Sequence, residues 1–139
     1  MADTHRSVTL TRRSTGVYVA RNERGGELVL GSDAGSAFTP VELLLVALAG
    51  CSAVDVDVVT GRRAEPEEFS VRADAEKVRE EGGSILRDIA LTFTLTFPEG
   101  EAGDAAREVL PRALAVSHDR TCTVSRTVEA GVPVSVRVA

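Results

Sequence analysis

Cys51 and Cys122 are the residues of this chain best suited to covalent chemistry. A thiolate can attack a peroxide oxygen, and a second thiol can resolve the resulting sulfenic acid as a disulfide. The plainer reading is that both are small buried apolar side chains, as free cysteines often are. Taken alone, two cysteines of unknown proximity favour that plainer role. They lack CxxC spacing and a matching histidine pair, so neither a structural zinc site nor any other metal is expected. His118 precedes Cys122 by four residues, which admits a Cys–His pair or an ordinary histidine at a helix end. The sequence contains no GxSxG, P-loop, GxGxxG or HExxH pattern, so hydrolase, nucleotide-binding and metalloprotease functions gain no support.

The element that must position Cys51 carries the strongest local signal in the chain. Thr39 fits a helix N-cap, Pro40 the first helical position, and Glu42 the returning half of a capping box. The spacing predicts a helix from there to about Gly61, apolar on nearly all sides through Ala53 and therefore buried. Before it, short β-like runs cover residues 7–12, 16–21 and 27–31, with a glycine-containing turn at 22–26. After it, residues 67–78 and 85–97 form a long antiparallel hairpin. Period-two alternation of Ile89, Leu91, Phe93, Leu95 and Phe97 gives its second strand one buried face. Residues 101–118 are helical in composition, with a kink or a junction of two helices at Pro111. Residues 123–128 and 133–138 read as a closing strand pair. The expected class is α+β, a single domain over 1–139 with antiparallel sheets wrapped around a long buried central helix.

Activation of Cys51 needs an explanation. It lies about three turns inside its helix, too far from the N-terminus for the dipole to lower its pKa much. Asp55 at i+4 shares its face, and a lone carboxylate there raises a thiol pKa. An arginine is needed, and Arg12, Arg13, Arg21, Arg24 and Arg126 sit in or near predicted strand ends. Glu42 lies nine residues before Cys51, ~13.5 Å along the helix axis and ~180° around it. It cannot reach that sulfur within its own chain, and capping suffices as its role unless a second subunit brings it close.

Composition limits the rest. The 139 residues include 43% apolar and 27% charged side chains, with 16 basic against 21 acidic residues and a net charge of −5. An acidic chain without basic runs is a poor partner for nucleic acid or an anionic membrane. The apolar run at residues 43–54 is too short for a membrane span, and residues 1–6 show no secretory apolar region. A cytoplasmic protein is expected, in which a disulfide is transient and not structural.

The segment Thr39-Pro-Val-Glu-Leu-Leu-Leu-Val-Ala-Leu-Ala-Gly-Cys51-Ser-Ala-Val-Asp55-Val resembles the central-helix motif of the OsmC/Ohr family of thiol peroxidases. Ala115-Val-Ser-His-Asp-Arg-Thr-Cys122-Thr-Val-Ser-Arg-Thr-Val resembles that family's second cysteine segment, and the element order is similar throughout. The resemblance implies an intertwined homodimer, with sites near the subunit interface and no organic cofactor or metal. It implies that Cys51 attacks an organic hydroperoxide, that Cys122 resolves the sulfenic acid as an intrachain disulfide, and that a thiol or dithiol reductant restores both. In the organic-hydroperoxide branch a glutamate directly follows the proline and pairs with an arginine from an N-terminal loop. Here Val41 follows Pro40 and the carboxylate comes one place later, at Glu42, a turn of ~100° on a helix. That pattern looks more like the less characterised OsmC-like branch. Arg13 is the first choice for the arginine by position, and Arg24 the second. A different class of function stands beside this one: a dimeric binding protein for a small apolar or thiol-containing ligand, with Cys51 left unactivated.

Overall fold

A computed structural model describes residues 4–139, so residues 1–3 of the opening read above lie outside the described part. The chain divides into two compact units, residues 1–44 and 45–139.

In the first unit, β1 (Val8–Ser14), β2 (Val17–Asn22) and β3 (Glu27–Leu30) form an antiparallel meander in the order β1-β2-β3. The β2–β3 turn forms because Asn22 Oδ1 accepts the backbone N–H groups of Arg24 and Gly26 at 3.0 and 2.8 Å, an Asx-type turn. Gly31 follows β3 with φ 146°, and a Cβ there would stand 2.0 Å from the Gly16 carbonyl oxygen. Only glycine fits that close approach. The unit ends in the first turn of α1 (Pro40–Gly61), where the expected capping box forms. The Glu42 N–H donates to Thr39 Oγ1 at 3.2 Å, and the Thr39 N–H donates to Glu42 Oε1 at 2.9 Å.

The second unit holds the rest of α1, the hairpin β4 (Glu68–Glu80) and β5 (Gly83–Thr96), α2 (Glu101–Val116), a π turn (Ser117–Thr121) and α3 (Thr123–Ala130). Along β5, Leu91, Phe93 and Leu95 are half-buried while Thr92, Thr94 and Thr96 are exposed, the alternation expected of a one-sided strand. The ladder shifts register after Asp74, opposite Asp88, which takes φ 53°. Asp88 is thus the bulge residue, a left-handed position that a short polar side chain tolerates. α2 runs unbroken through Pro111, so two helices do not meet there. Its buried positions are the small residues Gly103, Ala106 and Ala113, which allow close packing.

Two expectations need correction. α1 is not buried on all sides within this chain: only Leu48, Ser52, Val56 and Thr60 are buried, a single i, i+4 stripe. Val46, Val54 and Val58 are 48%, 63% and 51% exposed. Over 18 of its 22 residues the mean hydropathy reaches 2.0, enough to span a bilayer by length and composition. The apolar run at residues 43–54 is therefore only part of the apolar length of this helix.

The closing strand pair also does not form. Residues 123–130 are helical, and no strand is assigned to residues 132–139. The β-branched Thr123, Val124, Thr127 and Val128 suggest a strand by type. Local caps decide otherwise: Cys122 caps the N-terminus, and Gly131, at φ 63°, ends the helix with its N–H bonded to the Val128 carbonyl.

Candidate functional site

The second unit brings Cys51 and Cys122 together. Both are free thiols, Cys51 half-buried on α1 and Cys122 fully buried at the start of α3. The groups that act on the Cys51 thiol are Cys122 and the backbone of Val124 and Thr123, all at the start of α3. The first N–H groups of a helix have no partner within the helix, so α3 presents its unused donors to this pair of sulfurs. Cys122 Sγ accepts the Ser125 N–H at 3.4 Å and lies 3.4 Å from Ser125 Oγ. A thiol here occupies the place that serine, threonine or aspartate usually takes as N-cap.

These contacts split the two thiols. Burial pushes the Cys51 thiol above its ordinary range and Cys122 adds to the rise, while the amides of Val124 and Thr123 oppose it. At Cys122, burial acts upward too, but hydrogen bonds from the Ser125 hydroxyl, the Ser125 N–H and Cys51 outweigh it. The result lies below the ordinary thiol value. Of the two sulfurs, Cys122 is therefore the one whose surroundings favour the thiolate.

Asp55 plays a different part from the one expected. Its Oδ2 accepts hydrogen bonds from Ser117 Oγ and Thr121 Oγ1, both at 2.8 Å. Ser117 Oγ lies 3.2 Å from Ser52 Oγ as well, and the Ser117 carbonyl accepts the Cys122 N–H at 2.8 Å. The carboxylate ties α1 to both ends of the π turn that delivers Cys122. Its charge raises the Cys122 thiol and does not figure among the influences on Cys51.

A cavity of about 520 Å³ opens between α1, β5, α2 and α3, lined by residues next to the two cysteines and not by the cysteines themselves. Leu48, Leu91, Phe93, Leu114 and Val128 give it an apolar wall; Ser52 and Ser125, neighbours of the two cysteines, line it too. His118 stands at its polar side, Nδ1 2.9 Å from Asp119 Oδ1 and Nε2 3.1 Å from Glu129 Oε1. Both ring nitrogens are engaged by carboxylates, so His118 is not the base of a Cys–His pair. Among the described residues no three His, Cys, Asp or Glu side chains gather closely enough to hold a metal ion.

The remaining candidates lie in the first unit. Arg13 is an exposed residue of β1, and Glu42 is occupied as the helix cap. Arg24 lies in the β2–β3 turn, where its backbone N–H bonds to Asn22. Sequence reasoning missed Ser117, Thr121 and Ser125. For Ser125 a signal was present: Cys122-Thr-Val-Ser125 has the N-cap-to-N3 spacing of a helix start, with a thiol in the capping place.

Comparison with known proteins places this arrangement. The profile of the OsmC-like protein family matches residues 32–137. An uncharacterised protein of Mycobacterium tuberculosis is 30% identical over 129 residues, covering 91% of each chain. Protein YhfA of Escherichia coli is 26% identical over 120 residues, covering 85% of each. Among solved structures, a hypothetical protein from Aquifex aeolicus aligns with a TM-score of 0.74 at 23% identity, covering 92% of this chain and 89% of that one. An OsmC-like protein from Mycoplasma pneumoniae gives 0.70 at 16% identity, with coverage of 92% and 89%. A Legionella pneumophila structure described as an organic hydroperoxide resistance protein gives 0.58 at 15% identity, with coverage of 92% and 91%. At such identities these structures speak to the fold, which they share along nearly the whole length. The matched residues take in both cysteine segments, and this chain belongs to the OsmC-like protein family.

Proposed function

We propose that this protein is a cysteine-based peroxidase that reduces organic hydroperoxides in the cytoplasm, as part of oxidative-stress defence. The observation that carries the reading is that two free thiols lie close enough to influence one another at the start of α3. In the first step the Cys51 sulfur attacks the terminal oxygen of the hydroperoxide. The S–O bond forms as the O–O bond breaks, and the alkoxide leaves and is protonated to the alcohol. Cys122 then attacks the Cys51 sulfenic acid, forming an intrachain disulfide, and an external thiol or dithiol reduces it. The apolar cavity that Ser52 and Ser125 help to line supports an organic substrate over hydrogen peroxide. Hydroperoxide resistance is also the printed description of the Legionella structure that shares the fold.

The working form is a homodimer, each chain acting as one 1–139 domain. The exposed valines of α1 support this, since a soluble helix seldom leaves such a face uncovered. In the dimer, Arg13 and Glu42 of the first unit serve to activate Cys51, whose thiol is held high by burial in the isolated chain.

One equivalent of cumene hydroperoxide added to the reduced protein tests the reading. Intact mass should fall by the two protons of a disulfide, with both thiols lost and the bond mapped to Cys51 and Cys122. Two surviving thiols after prolonged exposure would end it. That outcome would leave the ligand-binding alternative, which the raised Cys51 thiol and the apolar cavity favour.

A further inference from the structure

The peroxidase reading assigns the closing of the disulfide to Cys122 but does not say what makes a fully buried thiol ready to attack. We infer that Ser125 is a catalytic residue of that step, holding the Cys122 sulfur as the nucleophile aimed at Cys51, and that Asp55 is a positioning residue acting through Ser117 and Thr121. The inference rests on the peroxidase reading for its chemistry and on contacts within the second unit for its geometry.

Ser125 reaches the sulfur twice. It sits at the third position of α3, so its backbone N–H points back at the N-cap atom, here Cys122 Sγ. Its hydroxyl stands at the same 3.4 Å from that sulfur. Ser125 is 9% exposed and Cys122 0%, so water does not compete for these contacts. A hydrogen bond to an anionic acceptor away from water is among the stronger ones a protein makes. In the thiol form the Cys122 S–H donates to Ser125 Oγ. Once that proton is lost the hydroxyl can turn and donate, and with both bonds then donated the sulfur can exist as thiolate where burial alone would keep it protonated.

Asp55 fixes the approach. Its Oδ2 is the common acceptor for hydroxyls at the first and last residues of the π turn, Ser117 and Thr121. The Cys122 N–H returns to the Ser117 carbonyl, so the residue carrying the thiol is bound to the same turn. A π turn is an uncommon conformation that recurs at functional positions, and here one carboxylate on the Cys51 helix pins it. The carboxylate does not activate the sulfur: its charge acts against the thiolate. Its contribution is placement.

The step balances without a further reagent. Cys122 thiolate attacks the Cys51 sulfur of the sulfenic acid, an S–S bond forms and the S–O bond breaks. Hydroxide leaves with the bonding pair and is neutralised by the proton that Cys122 gave up on becoming thiolate, returned through solvent, so the net product besides the disulfide is water.

Two readouts test this on the full chain. In a Cys51→Ala background, titration of the remaining thiol by its thiolate absorbance reports Cys122 without any peroxide. The titratable groups acting on Cys122 are Cys51 and Asp55 of α1, so in that background only Asp55 remains. Adding Ser125→Ala should raise the midpoint by about one pH unit, and Ser125→Thr should restore it. Asp55→Ala should lower it, because an opposing charge is removed.

In the two-cysteine protein, rapid mixing with cumene hydroperoxide separates sulfenic acid formation from loss of the second thiol. Ser125→Ala should leave the first step unchanged and slow the second about tenfold at neutral pH. Asp55→Ala should also slow only the second, and Asp55→Asn, which keeps an acceptor oxygen, should recover most of it. Should Ser125→Ala lose its circular dichroism, Ser125→Val, which has the shape of the threonine variant without its hydroxyl, is read in the same way. An unchanged Cys122 midpoint together with an unchanged closure rate overturns the proposal. A wild-type protein that forms no sulfenic acid overturns the peroxidase reading instead, and the titration still decides whether Ser125 holds the Cys122 thiolate.

Discussion

Burial and hydrogen bonding act in opposite directions on the same thiol, and at this site the balance differs between two neighbouring sulfurs. Cys51 has two backbone amides against its burial and stays high; Cys122 has a hydroxyl, an amide and the Cys51 thiol against its own and comes out low. The cysteine that meets solvent is thus the less ionised of the two, which is why further activation from Arg13 and Glu42 belongs to the proposed function. Glu42→Gln separates the two roles of that residue. A glutamine side-chain oxygen can still accept the Thr39 N–H, so thermal stability should change little. Without the charge, sulfenic acid formation should slow by an order of magnitude or more. Equal rates would leave Glu42 as a cap alone. Arg13→Ala should slow the same step severely in a protein that still folds, and unchanged kinetics would move the assignment to Arg24. Replacement of the cysteines completes the residue-scale set: Cys51→Ser should abolish turnover, whereas Cys122→Ser should allow one oxidation and then overoxidation. Wild-type turnover in Cys51→Ser would exclude the mechanism. The two thiols and Asp55 were legible in the sequence from their types and helical spacing. The partners of Asp55 were not, since Ser117 and Thr121 lie 62 and 66 residues away and only the packed fold brings them to it.

At the scale of the elements, local chemistry decided where the reading succeeded and where it failed. Capping box, proline and apolar run all pointed to the same start of α1, and the helix begins where they place it. The hairpin was equally legible, because period-two patterning continued over a whole strand. α3 was misread because its β-branched residues were weighed above its caps, and a cysteine was not considered as a cap. Of the two expectations at Pro111, the junction of two helices does not occur, because α2 continues through the proline. What α2 does not tolerate is bulk at its start. A Cβ on Gly103 would stand 1.7 Å from the Pro98 carbonyl oxygen, a backbone atom that cannot swing aside. Alanine is the better helix former by about 1 kcal/mol, yet displacing that backbone costs about 1–3 kcal/mol or more. Gly103→Ala should therefore lower the unfolding midpoint; a rise would show that the loop before α2 yields freely. The π turn and α3 are also tied through His118, whose pKa is raised by Asp119 and then Glu129. A raised histidine stabilises fully below its unfolded pKa, and the contribution fades as pH rises through the folded value. In His118→Gln the stability difference from wild type should shrink from pH 5.5 towards pH 8. Because the ring is exposed, the effect is small.

For the molecule as a whole, α1 carries the argument. A helix turns ~100° per residue, which puts Val54 ~180° and Val58 ~140° from the midpoint of buried Ser52 and Val56. The helix is thus apolar on two opposite faces, and its own chain covers one of them. The tail adds to the uncovered surface: Val132, Val134, Val136 and Val138 are 56–96% exposed, in the alternation of a strand that has no partner among the described residues. Against this stand Asp55 and Asp57 in the last two turns of α1, with Asp55 held by Ser117 and Thr121. A carboxylate in the apolar interior of a bilayer is costly, and that favours a protein surface as the cover. A second copy of the chain is the simplest such surface, since it brings the same apolar face and the same unpaired tail. Sedimentation at micromolar concentration should give twice the chain mass. Val54→Asp combined with Val58→Asp should return it to a single chain and, if Arg13 and Glu42 act across the interface, slow Cys51 oxidation in parallel. A double variant that becomes a single chain yet oxidises at the wild-type rate would separate assembly from catalysis and place the whole reaction within residues 45–139. Wild-type protein that sediments as one chain would remove the dimer altogether, and with it the route proposed for Glu42 to reach the sulfur.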